Sequence, residues 1–155
     1  MNENNGFSSN IFGPPLWLFL HIISFNYPIH PTESDKHNYR NFILNLKNVL
    51  PCRTCRENLT KNFKQLPLTI KDMENRDTFS KYIYNLHNVI NKMLHKNVNI
   101  SYDDVKKQYE QYRAKCDVKK KTIKNKHVGC VVPLNSKHKR KCIIKIVKTR
   151  KMKNN

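Results

Sequence analysis

The sequence predicts an all-α fold, a bundle of helices followed by a basic extension. Three observations lead there. Apolar residues recur at three- and four-residue steps in segment after segment, which is the helix period. The breaks between those segments are short, and only three glycines occur in 155 residues, a texture that favours a helical bundle. The charge is also uneven: 12 Lys/Arg stand against 9 Asp/Glu up to residue 105, but 18 against 2 from residue 106 onward. Most of the formal net charge of +19 therefore belongs to the C-terminal third and not to the helices. The length suits one domain with an appendage. The expected divisions are a flexible stretch over residues 1–12, a helical domain over 13–116 and a basic extension over 117–155.

Each element has its own signals. Met1 to Asn10 is polar, with no basic residue ahead of an apolar run, so no signal peptide is expected. A first helix is expected from about Pro14 to Phe25, with Pro14 and Pro15 in the first turn. Leu16, Trp17, Leu20 and Ile23 are its apolar residues. The apolar stretch from Ile11 to Phe25 is interrupted by Pro14, Pro15, His21 and Ser24 and falls short of the ~20 apolar residues of a bilayer span. A soluble, cytosolic protein is expected. Pro28 and Pro31 break the chain, and Thr32 caps a second helix that runs to about Leu50. Its repeat is Tyr39, Phe42, Ile43, Leu46, Val49 and Leu50. A third helix starts at Cys52 and ends before Pro67. A fourth spans about Arg76 to Leu94, with Phe79, Ile83, Leu86, Ile90 and Met93 on one face. Ser101 and Asp104 form a capping-box-like start to a fifth, expected to reach Cys116. The sequence holds no internal repeat.

The chemistry concentrates in Leu50-Pro51-Cys52-Arg53-Thr54-Cys55-Arg56. Two thiols at C-x-x-C spacing can close a small disulfide and open it again. A helix N-terminus offers unpaired N–H groups and partial positive charge, which favour thiolate over thiol. Arg53 and Arg56 add to that field. Redox chemistry, zinc binding and incidental core cysteines all remain open on the motif alone. Zinc needs four ligands, and no second C-x-x-C or paired histidine motif is present. A thioredoxin-like site would follow a strand, whereas the residues before Cys52 have helical period. No metal site is expected.

Beyond Cys116 the texture changes. Lys119, Lys120, Lys121, Lys124 and Lys126 form a charge run. Cys130-Val131-Val132 and Cys142 to Val147 are β-like, separated by the turn-like Asn135 to Arg140. A hairpin placing Cys130 opposite Cys142 and a disordered basic tail are both compatible with this pattern. The tail is basic enough to neutralise phosphates or to dock on acidic partners, but it carries no base-reading motif. A basic nucleic-acid- or partner-binding protein with a structural C-x-x-C is the alternative function.

Trp17 and His21 lie one helical turn apart and share a face, and His87, Asn88 and Asn91 recur at helical spacing. Taken singly, these read as core and surface positions. Their order does not. Trp-x-x-x-His, Cys-x-x-Cys, His-Asn-x-x-Asn and then a Tyr-bearing helix resembles the Erv/ALR family of FAD-linked sulfhydryl oxidases. The resemblance runs from Gly13 to Tyr112. Val105 to Gln111 is similar to the last helix of members encoded by large DNA viruses.

That resemblance implies a four-helix bundle holding FAD, with a short fifth helix across one end. It implies that Cys55 is the flavin-proximal sulfur and Cys52 the interchange sulfur that meets incoming thiols. Trp17, His21, His87, Asn88, Asn91 and Lys96 would contact the cofactor, together with Gly13, Ile90 and Leu94, and Tyr109 would pack on it. The implied reaction takes electrons from thiol-containing protein substrates through the Cys52–Cys55 pair to the flavin and on to oxygen, giving hydrogen peroxide. Cys130 and Cys142 stand in for a shuttle pair, at wider spacing than the family's. A homodimer, formed through the apolar faces of the first two helices, and a location at a viral assembly site in the host cytoplasm or in the virion are further expectations. Three departures stand out. A structural bridge to the fifth helix is not expected, because Ser101 occupies one of its positions and only Cys116 is near the other. Met93 and His95 stand where Lys and Gly are common. Pro14 stands where a cofactor-binding Arg is common.

Overall fold

The computed structural model describes residues 6–113. Five helices follow one another: α1 (Ser9–Phe25), α2 (Glu33–Val49), α3 (Arg53–Gln65), α4 (Arg76–Met93) and α5 (Tyr102–Glu110), with a short 3-10 turn at Lys71–Met73 before α4. No strand occurs among the described residues. α1 packs on α4, α2 on α3, α3 on α4, and the shorter α5 on α1. The chain divides after Glu110, and all five helices belong to the first unit. Of the remainder, residues 111–113 are described, starting in a turn. The β-like segments around Cys130 and Cys142 lie outside the described residues.

Local chemistry explains most boundaries. Thr32 caps α2 through a capping box: its hydroxyl accepts the Asp35 N–H at 3.1 Å and the Asp35 carboxylate accepts the Thr32 N–H at 2.9 Å. Hydrogen bonds from the Thr32 hydroxyl and N–H hold the Asp35 carboxyl below its usual range. Asn75 and Thr78 build the same box for α4.

Three expectations need correction. α1 begins at Ser9, not Pro14, so both prolines lie inside the helix. The Ser8 hydroxyl accepts the Asn10 N–H, and the Phe7 N–H donates to the Pro51 carbonyl at 2.8 Å. That second bond reaches across the fold and fixes the start from outside the local sequence. α5 stops at Glu110, short of Cys116. Gln111 and Tyr112 form a turn, which ends the helical hydrogen-bond ladder before Cys116 is reached. Met93 is 38% exposed and is not part of the core face of α4.

The core sits where α1, α2 and α4 meet the connection before α4. Tyr27, Ile43, Met73, Phe79 and Ile83 are fully buried. The Tyr27 ring meets Tyr39 at 4.8 Å and Phe79 at 5.0 Å, both edge to face. The Tyr27 hydroxyl donates to the Met73 carbonyl at 2.9 Å, and the Arg76 guanidinium donates to the Tyr27 carbonyl. Tyr82 and Arg40 likewise donate to the Leu66 and Leu68 carbonyls, tying the loop after α3 to the bundle. α5 is tethered by polar contacts: Ser80 to Tyr102 at 2.8 Å, Tyr84 to the Ile100 carbonyl at 2.8 Å, and Lys106 to Asp77 at 2.6 Å. No helix among the described residues is long and apolar enough to cross a membrane.

Candidate active site

Cys52 is the N-cap of α3 and Cys55 lies in its first turn. They form a disulfide with Cα atoms 5.2 Å apart. Cys52 has extended backbone, and its sulfur accepts the Cys55 N–H at 3.2 Å. Cys55 packs against the core, whereas Cys52 precedes the helix beside the exposed Pro51. Both sulfurs therefore sit in the positive field of a helix N-terminus, which stabilises thiolates when the pair is opened. Arg53 pairs with Glu57 at 3.0 Å, and the Arg56 guanidinium donates to the Leu50 carbonyl. Among the described residues no cluster of three or more His, Cys, Asp or Glu could hold a metal ion.

A second constellation joins α1, α4 and α5. The Trp17 and His87 rings stack in parallel, 3.9 Å apart and 4° from coplanar. His21 Nε2 lies 3.0 Å from His87 Nδ1. Tyr109 adds its ring 4.9 Å from His21 and 5.5 Å from Phe25. α1 contributes Trp17, His21 and Phe25 at four-residue steps, which puts all three on one face. Burial pushes both imidazoles down to about 4, helped at His21 by His87 and at His87 by the Lys96 charge. Both rings are thus neutral near pH 7, and one hydrogen is shared between the two facing nitrogens. His21 Nδ1 is buried with no partner.

The end of α4 brings Lys96 towards this cluster. The His95 N–H bonds to the Lys92 carbonyl and the Lys96 N–H to the Asn91 carbonyl, the two bonds of a Schellman motif. His95 takes the left-handed conformation that motif requires, with φ of 53°. Asn91 is buried and Ile90 half-buried against the core, while Leu94 is exposed. Gly13 faces open space: a Cβ there would touch nothing. Asn88 is not part of the ring cluster. It lines a groove between the end of α3 and α4, with Gln65, Leu66, Asn85, Val89, Lys92 and Met93. Cys116, Cys130 and Cys142 lie outside the described residues. Sequence reasoning missed Phe25, although it continues the Trp17–His21 spacing by one more turn. It also missed the segment Gly6–Phe7, whose contact with Pro51 is tertiary and leaves no local signal.

A C-x-x-C at the N-terminus of a bundle helix, next to helices that carry a Trp–His–His stack, is a specific arrangement. The Erv1/Alr family model matches residues 14–112 of the chain. The chain belongs to the Erv1/Alr family. It is 39% identical over 75 residues to a protein of Acanthamoeba polyphaga mimivirus named a probable FAD-linked sulfhydryl oxidase, covering 48% of this chain and 52% of that protein. It is 32% identical over 100 residues to the FAD-linked sulfhydryl oxidase of African swine fever virus, covering 64% of this chain and 81% of the relative. The chain thus spans about half the length of the mimivirus protein and about four fifths of the swine fever protein. In structure it is similar to the yeast Erv1 core, with a TM-score of 0.60 at 21% identity over 71% of this chain and 90% of that one. That likeness establishes the Erv1-type helical fold.

Proposed function

We propose that this protein is an FAD-linked sulfhydryl oxidase that makes disulfide bonds in thiol-containing proteins. The observation that carries the reading is the Cys52–Cys55 disulfide at the N-terminus of α3, inside an Erv1/Alr bundle. A binding protein with a structural C-x-x-C is not favoured by that family match.

The residues present fit a flavin dinucleotide. Trp17 and His87 offer flat stacked surfaces, Gly13 leaves open space beside α1, and His21 Nδ1 is a buried polar atom in need of a partner. Lys96 supplies a cation for phosphate. Trp17, His21, His87, Asn91 and Lys96 would hold the cofactor, with Ile90 and Leu94 beside them and Tyr109 closing one side. Asn88 would reach it from the groove along α3. FAD held by these residues would supply the electron transfer from the dithiol to oxygen, with hydrogen peroxide as the product.

The chain's own part is thiol–disulfide exchange and the placing of charge. A substrate thiolate attacks Cys52 Sγ, the Cys52–Cys55 bond breaks, and Cys55 leaves as a thiolate held by the α3 N-terminus. A second substrate thiolate then attacks the substrate sulfur of that mixed disulfide and releases Cys52. The substrate gains a disulfide and the enzyme pair gains two electrons. His21 and His87, kept neutral by burial, add no charge near the ring surfaces.

The same reading extends to a homodimer. Leu18, Phe19 and Ile22 on α1 and Phe42 on α2 are exposed, with Phe19 and Phe42 in edge contact at 6.2 Å. It places the basic residues beyond 116 in contact with acidic partners or nucleic acid, and Cys130 and Cys142 in a shuttle role. It also places the protein at a viral assembly site in the host cytoplasm or in the virion. The test of the central claim is a visible spectrum of the purified protein, then oxygen uptake with dithiothreitol. A flavin spectrum is expected, with oxygen uptake lost in Cys55→Ser. A colourless protein that stays inactive after added FAD would overturn the reading.

A further inference from the structure

The contact that the sequence did not reveal lies beside the redox pair. Gly6 adopts φ of +55°, a conformation that residues with a side chain rarely take. Its backbone is pressed so closely onto Pro51 that a Cβ at Gly6 would overlap the Pro51 carbonyl oxygen and come within 3.1 Å of the Cys52 Cα. The next residue, Phe7, donates its N–H to that same Pro51 carbonyl at 2.8 Å. Ser8 then caps α1. Two backbone contacts thus seat this segment against the residue that precedes Cys52 and against Cys52 itself. They hold in place an aromatic side chain that is 75% exposed. Ile11, one turn further along α1, is equally exposed, and Pro51 lies open between the segment and the disulfide. An exposed Phe on a loose terminus would mean little. A Phe whose backbone is pinned at the approach to a reactive disulfide is part of that approach.

We propose that Gly6 and Phe7 form one wall of the thiol entrance, and that Phe7 selects substrates whose cysteine is flanked by an apolar side chain. The inference rests on the oxidase reading for its biological sense, and on the placement of the segment for its physics. A substrate thiol that reaches Cys52 Sγ brings its neighbouring residues over Pro51 and Phe7. An apolar neighbour there removes phenyl surface from water, and a polar one does not. Phe7 is a specificity residue in this account, since the sulfur exchange itself needs only Cys52, Cys55 and the incoming thiolates. Gly6 is a positioning residue, present because no side chain fits over Pro51.

The experiment uses the full chain and two synthetic dithiol peptides, one with Leu beside each cysteine and one with Ser. The rate at which each peptide reduces the Cys52–Cys55 disulfide is read anaerobically by trapping the released thiols. Oxygen uptake with dithiothreitol is measured in parallel. The wild-type chain is expected to favour the Leu peptide by about five- to tenfold, the scale of partly burying one apolar side chain. Phe7→Ala and Gly6→Ala are expected to erase that preference, the Leu peptide falling to the rate of the Ser peptide in each. Phe7→Leu should restore most of it. Equal rates for the two peptides in the wild type, or an unchanged preference in Phe7→Ala, would overturn the proposal. Exchange needs neither flavin nor oxygen. A chain that took up no oxygen would therefore overturn the oxidase reading while the peptide comparison still decided this one.

Discussion

Two clusters of rings in this bundle use similar residues to opposite ends. Tyr27, Tyr39 and Phe79 meet edge to face at 4.8 to 5.9 Å, and Tyr27, wholly buried, has its hydroxyl satisfied by Met73. Trp17 and His87 lie flat on one another at 3.9 Å, His21 keeps an unpartnered nitrogen, and both imidazoles are held neutral. Edge-to-face contacts close space in several directions. Parallel stacking leaves broad faces, and an orphaned buried nitrogen retains an unmet hydrogen bond. The first arrangement suits a core. The second suits a planar ligand that is itself polar at its edge.

The comparison can be broken at several points. The largest effect is expected from Phe79→Ala, which empties a wholly buried site and should cost about 4 kcal/mol in urea unfolding. Trp17→Ala should cost the flavin-free protein under about 2 kcal/mol, because Trp17 is only half-buried, yet should release flavin on gel filtration. Equal stability losses in the two variants would show that both clusters are simply core.

A pH series sharpens the same contrast. His21 and His87 have folded values of about 4 against an ordinary 6.5. The unfolded chain therefore binds more protons between those values, and stability falls as pH drops through that window. A progressive loss of stability between pH 7 and pH 4 is therefore expected from the pair, read by urea unfolding at each pH. His87→Gln should flatten the slope, whereas Tyr27→Phe should leave it unchanged while costing about 1–2 kcal/mol at every pH. The smallest effect is at the end of α4. His95→Gly relieves a left-handed residue and should stabilise the protein by about 0.5–1 kcal/mol, read as a rise in Tm.

Much of this molecule is legible in the chain because its signals are local. The capping boxes at Thr32–Asp35 and Asn75–Thr78 set helix starts within four residues, and the repeat of Phe79, Ile83 and Leu86 sets a buried face within two turns. The C-x-x-C is local too, since the start of α3 is a property of its own first turn. The misses share the opposite character. The true start of α1 lies beside the bond between Phe7 and Pro51, and α5 ends in a turn at Gln111 and Tyr112 that no local break in the sequence marks. Met93 continues the periodic pattern of α4 but stands at its last position, where it borders an open groove and stays exposed.

Helix content, the positions of the dithiol and the order of the motif residues follow from the sequence by itself, because each is decided by contacts between residues a few positions apart. The tertiary structure alone decided that His21 faces His87 from 66 residues away, that Trp17 lies flat on it, and that Gly6 rests on Pro51. Those juxtapositions depend on how helices cross and on which surfaces lose their water together, and no short window of sequence contains that information.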